Sequence, residues 1–164
     1  VLFWVLHDPI IVMKQELMRI PLIGWVFKRT GSIGVDRSAG MSALKKLKRD
    51  ALIAVETGRP LLIFPQGTRV LPRTKAPYQI GVYALYSATG LSVVPVALNS
   101  GSFWPRKGIR KYPGCITLAF LPEIKPGLPR AAFMARLEEQ IEQAAARLET
   151  GDDQPGVKRC EIHA

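Results

Sequence analysis

Residues 61–64 read Leu-Leu-Ile-Phe, set between Pro60 and Pro65. An apolar run of that length between two prolines is a strand, and one with no polar alternation belongs in a sheet covered on both faces. Sheets of that kind are built by alternating strands with amphipathic helices. The rest of the chain fits such a rhythm. Residues 10–13 are a β-branched run behind Pro9, 31–35 form a brief strand, 93–98 a strand interrupted by Pro95, and 116–121 a further apolar strand. Between them lie helical stretches. Residues 42–57 repeat Leu44, Leu47, Ala51 and Val55 at three- and four-residue steps, with Lys45, Lys46, Lys48 and Arg49 opposite. Residues 80–89 form a helix closed by Gly90. Residues 130–149 form the longest helix, with Phe133, Leu137, Ile141, Ala144 and Leu148 on one face and Glu138, Glu139 and Glu142 turned to water. The expected fold is α/β, with a mixed, mainly parallel sheet and helices on both faces.

The chain of 164 residues suits one domain, placed at 1–150, followed by a polar tail over 151–164 that is expected to fray. Apolar residues make up 48% of it, enough for a core without metal or disulfide support. Cys115 falls in an apolar run and reads as a core residue, and Cys160 falls in the tail. Their spacing suggests no zinc or thiol redox site. The opening apolar run has no basic region before it and is no signal peptide, and no run of about 18 apolar residues offers a membrane span. The abrupt start leads to the expectation that residues precede Val1.

Charge is distributed unevenly. The net charge is +10, and residues 57–122 contain no Asp or Glu. The same span holds Arg59, Arg69, Arg73, Lys75, Arg106, Lys107, Arg110 and Lys111. Such a field favours an anionic partner: a phosphorylated small molecule, an anionic bilayer, or nucleic acid. Trp104 and Tyr112 flank the last four cations as aromatic residues do on nucleic-acid surfaces, but no nucleic-acid motif accompanies them. Nucleic acid is therefore not expected. The segment 16–28 is read as short helical pieces broken at Pro21. Its Leu17, Ile20, Leu22, Trp25 and Phe27, edged by Lys14, Arg19, Lys28 and Arg29, have the makeup of a membrane-facing surface.

Within the basic span, the 61–64 strand delivers Gln66, Gly67, Thr68 and Arg69 to its carboxyl end, where ligands of α/β sheets gather. Gly67 allows an unusual turn or close approach, Thr68 offers a hydroxyl, and Arg69 offers a planar fork for phosphate oxygens. A second arginine, Arg37, follows the 31–35 strand, with Asp36 beside it able to pair with a basic side chain. Two such strand ends could meet on one phosphate.

These blocks, in this order, resemble the glycerolipid acyltransferase superfamily, in particular the bacterial 1-acylglycerol-3-phosphate acyltransferases. GSIGVDR at 31–37 is similar to that family's G-x-I-x-x-x-R block, and FPQGTR at 64–69 to its F-P-E-G-T-R block. VVPVALNSG at 93–101 resembles the V-P-V block, and KQELMRIPLIGW at 14–25 the segment ahead of the first arginine block. The resemblance covers residues 9 to about 148. It implies an enzyme of phospholipid synthesis that moves a fatty acyl group from acyl-CoA or acyl carrier protein to lysophosphatidic acid. It implies no metal or other cofactor, and a place on the cytoplasmic face of the bacterial inner membrane, peripheral or anchored by residues before Val1. Arg37, Arg69, Gly67 and Thr68 would hold the acceptor phosphate, and Gln66, Gly31, Lys75 and Gln79 would support the site.

The same resemblance implies a His-x4-Asp pair as base and orienter, and this sequence has none. His7 is followed five positions later by Val12, and Asp8 is adjacent to it. The pair is expected before Val1, and the chain alone is expected to be inactive. Gln66 replaces the family's glutamate, and Gln79 stands where many relatives carry lysine. Two other readings stay open: an acyltransferase for another lysolipid, such as a lyso-ornithine lipid, and a silent lysolipid-binding homologue.

Overall fold

The structure is a computed structural model that describes residues 5–68, 70, 74, 76–104, 112–150 and, as backbone, 158–163. Its elements run β1 (Ile10–Lys14), a 3-10 turn (Gln15–Arg19), α1 (Ile23–Arg29), β2 (Ile33–Val35), a second 3-10 turn (Arg37–Ala39) and α2 (Gly40–Val55). Then come β3 (Leu61–Ile63), α3 (Ile80–Thr89), β4 (Val96–Leu98), α4 (Ser100–Phe103), β5 (Cys115–Phe120), α5 (Arg130–Thr150) and β6 (Lys158–His163). The fold class is mixed α/β, as the alternation of strands and helices implies. The chain divides into two compact units, Val1–Thr68 with Gln79–Gly90, and Arg69–Tyr78 with Leu91–Ala164.

The first unit is built on a parallel sheet in the order β2-β1-β3. Val12 pairs with Ile33 on one side and Ile63 on the other. All three strands therefore end on the same edge. Ile10, Val12 and Ile33 face a core completed by Leu47, Ala51 and Ala54 of α2 and Leu85 of α3. Gly81 brings α3 against α2: a Cβ there would lie 3.4 Å from Leu47 Cδ2. The buried stripe of α2 runs through Ala54, whereas Val55 is half-buried. β3 departs from the expectation of a fully covered strand. Its residues are half-buried and Phe64 is 47% exposed, because β3 is the outer strand of its sheet.

The second unit holds an antiparallel sheet, β4-β5-β6, the other part of the mixed arrangement. Val96 pairs with Phe120 and Leu118 with Cys160. Ala97, Ala119, Leu121 and Ala144 form its packed core, with Ile141 and Leu148 against them. Small residues on strand and helix bring α5 close to the sheet. The expected 93–98 strand is shorter. Pro95 has no N–H to give, so pairing begins at Val96, and Pro95 contributes only its carbonyl, to the Leu121 N–H. Val93 makes an isolated antiparallel bridge to Ile124. Two further expectations are corrected here. Cys115 is half-buried at the start of β5 rather than a core residue. The tail, expected to fray, supplies β6 over Lys158–His163, because β5 offers it an open row of backbone groups.

Candidate functional site

The common strand end of the parallel sheet carries two of the singled-out blocks. β3 runs into a turn in which the Gly67 N–H donates to the Phe64 carbonyl at 2.9 Å. Proline in the second place and glycine in the fourth suit such a turn. Gly67 itself has φ 65°, a left-handed conformation that glycine adopts freely. The turn is fastened from its other side, where the Gln79 N–H donates to the Pro65 carbonyl at 2.8 Å. Gln79 is the residue from which α3 starts, so the turn is pinned to a helix seated in the core.

β2 delivers Arg37 to the same edge. The Arg37 guanidinium donates from Nη2 to the Gly67 carbonyl at 2.5 Å, across 30 residues of sequence. A Cβ on Gly67 would fall onto that guanidinium, closer than any atom tolerates. Gly67 is thus favoured by its backbone angle, and the guanidinium occupies the space its missing side chain leaves. Arg37 is set by its own turn. The Asp36 carboxylate accepts from the Ser38 hydroxyl at 2.5 Å and the Ser38 N–H at 2.9 Å. Those bonds hold the Asp36 carboxyl below its ordinary range. Asp36, which could have paired with a basic side chain, pairs with Ser38 and leaves Arg37 to reach Gly67.

The opposite, amino edge of the sheet has a different cation. Arg59 donates from Nε to the Asp8 carbonyl at 3.0 Å and from Nη2 to the Thr30 carbonyl at 2.8 Å. It also pairs with the Asp8 carboxylate at 3.0 Å. So one member of the acid-free basic span is matched by an acid 51 residues upstream. The only sign of this pairing in the sequence is an arginine just before β3 and an acid just before β1. Arg69, Arg73, Lys75, Arg106, Lys107, Arg110 and Lys111 lie outside the described residues.

Of the residues singled out, Arg37, Gln66, Gly67 and Thr68 are brought to one sheet edge, and Gln79 joins them through its backbone. Gly31 does not belong to that group. It leaves α1 with φ 73°, at the amino end of β2, and its nearest neighbour on a Cβ would be Arg59 Nη1 at 3.5 Å. His7 is exposed in the loop before β1, at the same far edge. Glu142, expected to face water, instead accepts from the Tyr78 hydroxyl at 3.0 Å. Burial, reinforced by the Glu142 charge, pushes the Tyr78 phenol up beyond its ordinary range. The segment expected to face a membrane leaves Leu17, Ile20, Leu22 and Trp25 exposed, with Phe27 half-buried.

A parallel sheet flanked by helices, with an arginine block and a glycine block at its strand ends, defines the chain as an α/β fold. The chain belongs to the Acyltransferase family, whose model matches residues 1–99. It is 34% identical over 131 residues to the 1-acyl-sn-glycerol-3-phosphate acyltransferase of Pseudomonas aeruginosa, covering 80% of this chain and 51% of that protein. It is 32% identical over 117 residues to an enzyme of the same name from Chlamydomonas reinhardtii, covering 70% of this chain and 35% of that one. The crystal structure of the 1-acyl-sn-glycerophosphate acyltransferase from Thermotoga maritima matches with a TM-score of 0.70 at 20% identity, over 90% of this chain and 59% of that one. The chain thus spans about half of the first of these curated relatives and about a third of the second.

Proposed function

We propose that the protein carrying this chain transfers a fatty acyl group to the free hydroxyl of lysophosphatidic acid, and that Arg37, Gly67, Thr68 and Arg69 receive the acceptor's phosphate. One observation carries the reading: the Arg37 guanidinium held on the Gly67 carbonyl, joining the two blocks at a strand-end edge. That bond uses one of the five N–H donors of the guanidinium and holds the group at the strand-end edge. A guanidinium held there can turn a parallel pair of its donors to two phosphate oxygens. Gln66, neutral beside this site, adds no competing negative charge. Lys75 and Gln79 support the same loop in this proposal.

The chemistry asked of the site is positioning. With the phosphate held, the acceptor hydroxyl oxygen attacks the carbonyl carbon of a thioester, acyl-CoA or acyl carrier protein. The carbon–sulfur bond breaks, and the thiol leaves with the proton taken from the hydroxyl. A histidine base oriented by an aspartate suits that proton transfer. The chain has no His-x4-Asp, so in this proposal the pair comes from residues outside 1–164, and the chain alone is silent. No metal or other cofactor enters. The acceptor is drawn from an anionic bilayer, at the cytoplasmic face of the bacterial inner membrane, against the surface of Leu17, Ile20, Leu22, Trp25 and Phe27.

The test is an acyl-transfer assay on the complete open reading frame that contains this chain, with lysophosphatidic acid and a phosphate-free monoacylglycerol side by side. Arg37→Ala and Arg69→Ala should each lower kcat/KM for lysophosphatidic acid by about 10- to 100-fold, the loss of a charge-assisted bond of about 1.5–3 kcal/mol. Equal use of the phosphate-free acceptor, or unchanged kinetics in both variants, overturns the reading. Preference for a lyso-ornithine lipid would keep the reaction and replace the acceptor. Binding without turnover would leave a lysolipid-binding homologue.

A further inference from the structure

Pro21, Leu22 and Ile23 form a three-residue turn, closed by the Ile23 N–H donating to the Pro21 carbonyl at 2.7 Å. Leu22, at its centre, has φ 64° and ψ −58°. That is the γ-turn of the rarer hand, in a region that suits glycine and strains a leucine. Burial does not compensate for the strain. At 82% exposure Leu22 is the most open of the large apolar residues described. Its neighbours are open too: Ile20 at 41%, Ile23 at 49%, Trp25 at 58% and Val26 at 49%. A backbone held against its preference in order to present an apolar side chain to water points to a use outside the fold.

The support beneath this tip is rigid. Gly24, the buried residue of α1, donates its N–H to the Ile20 carbonyl at 2.7 Å. A Cβ there would collide with the Met18 carbonyl. Gly34 in β2 in turn leaves room for the Met18 and Gln15 side chains, so the 3-10 turn lies against the sheet. Arg19, Lys28 and Arg29 lie within seven residues of Leu22 in sequence, and residues 17–35, between Glu16 and Asp36, contain no acid. The Arg29 guanidinium sits 4.5 Å from the centre of the Trp25 ring. That pairing sets a cation beside the one side chain whose ring prefers headgroup depth.

We infer that 17–29 is a wedge for an anionic bilayer: the γ-turn carries Leu22, with Ile20 and Ile23, below the headgroups, Trp25 lies at their level, and Arg19, Lys28 and Arg29 bind lipid phosphates. The inference deepens the membrane-facing reading above and rests on it. Cations close in sequence to an exposed apolar tip favour a partner that is both apolar and anionic, and an anionic leaflet is both.

The experiment compares sedimentation of the chain with vesicles of phosphatidylcholine alone and of phosphatidylcholine mixed with phosphatidylglycerol. Binding should require the anionic lipid, and Trp25 emission should shift to the blue, a shift absent in Trp25→Phe. Leu22→Gly removes the apolar tip and relieves the backbone, so vesicle partition should fall about tenfold while the unfolding temperature holds or rises. Lys28→Gln and Arg29→Gln should each weaken binding about fivefold. Undiminished binding by Leu22→Gly overturns the wedge, as does equal binding to both vesicles. Self-association that Leu22→Gly abolishes, without vesicle binding, assigns the tip to a second copy of the chain and also overturns it. Transfer by the complete wild-type protein to a short-chain, water-soluble lysophosphatidic acid separates the two readings. Its presence without vesicle binding sinks the wedge alone, and its absence with vesicle binding sinks the acyltransferase reading alone.

Discussion

Arg37 and Gly67 meet at 2.5 Å although 30 residues separate them, guanidinium to carbonyl, at the edge where three parallel strands end. A Cβ at 67 would occupy the space of the guanidinium, so Arg37 would have to shift to admit one.

Gly67→Ala should therefore lose both the turn and the contact. The left-handed angle alone costs an alanine about 1–2 kcal/mol. Urea unfolding should show at least that loss, and the KM for a phosphate-bearing acceptor should rise as Arg37 is displaced. Arg37→Ala, by contrast, should change KM with little change in urea midpoint, because its bond is exposed.

Arg59→Met should be the more damaging arginine substitution for folding. Arg59 joins the chain ahead of β1, the exit of α1 and the start of β3 through Asp8 and Thr30. Removing it leaves the part-buried Thr30 carbonyl without this donor, a cost of about 1–2 kcal/mol in the midpoint of chemical unfolding, while the exposed Asp8 groups turn to water. Arg59→Lys should restore only part of it, since one ammonium cannot match the fork.

Tyr78 gives a pH dependence with a definite sign. Its phenol is raised above the ordinary value of 10.0 by burial and by Glu142. The folded state thus keeps a proton that the unfolded chain releases, and the stabilisation is present below about pH 10 and lost as pH rises beyond it. Above that pH, stability measured by urea should fall by up to about 1.4 kcal/mol more per pH unit in the wild type than in Tyr78→Phe.

Gly24→Ala should detach α1 from the 3-10 turn, because the new methyl would meet Met18 backbone rather than a movable side chain. A backbone clash of this kind costs about 1–3 kcal/mol. Hydrogen exchange should then quicken in Ile23–Arg29 before it quickens in α2, whose Leu47 and Ala51 are buried in the core.

Much of the scaffold was legible locally. The three-and-four spacing of Leu44, Leu47 and Ala51 located α2, and the Pro21 break separated the 3-10 turn from α1. Where reading by local pattern went astray, a neighbour decided. Pro95 shortened β4 because pairing needs an N–H. Residues 158–163 read as a polar tail because nothing in their own composition announces that β5 has an open edge. Glu142 read as solvent-facing because helical spacing cannot foresee a tyrosine 64 residues away.

The amino-acid order by itself determined the strands and helices of an α/β chain, the glycine at 67 and the family to which the blocks belong. These depend on side-chain period and on backbone angles, which act over a few residues. The partners of Arg37, Arg59 and Tyr78, and the hand of the turn that exposes Leu22, were decided by tertiary structure. A donor in the folded state bonds whichever acceptor the packing of the strands brings within about 3 Å, and sequence distance has no bearing on that choice.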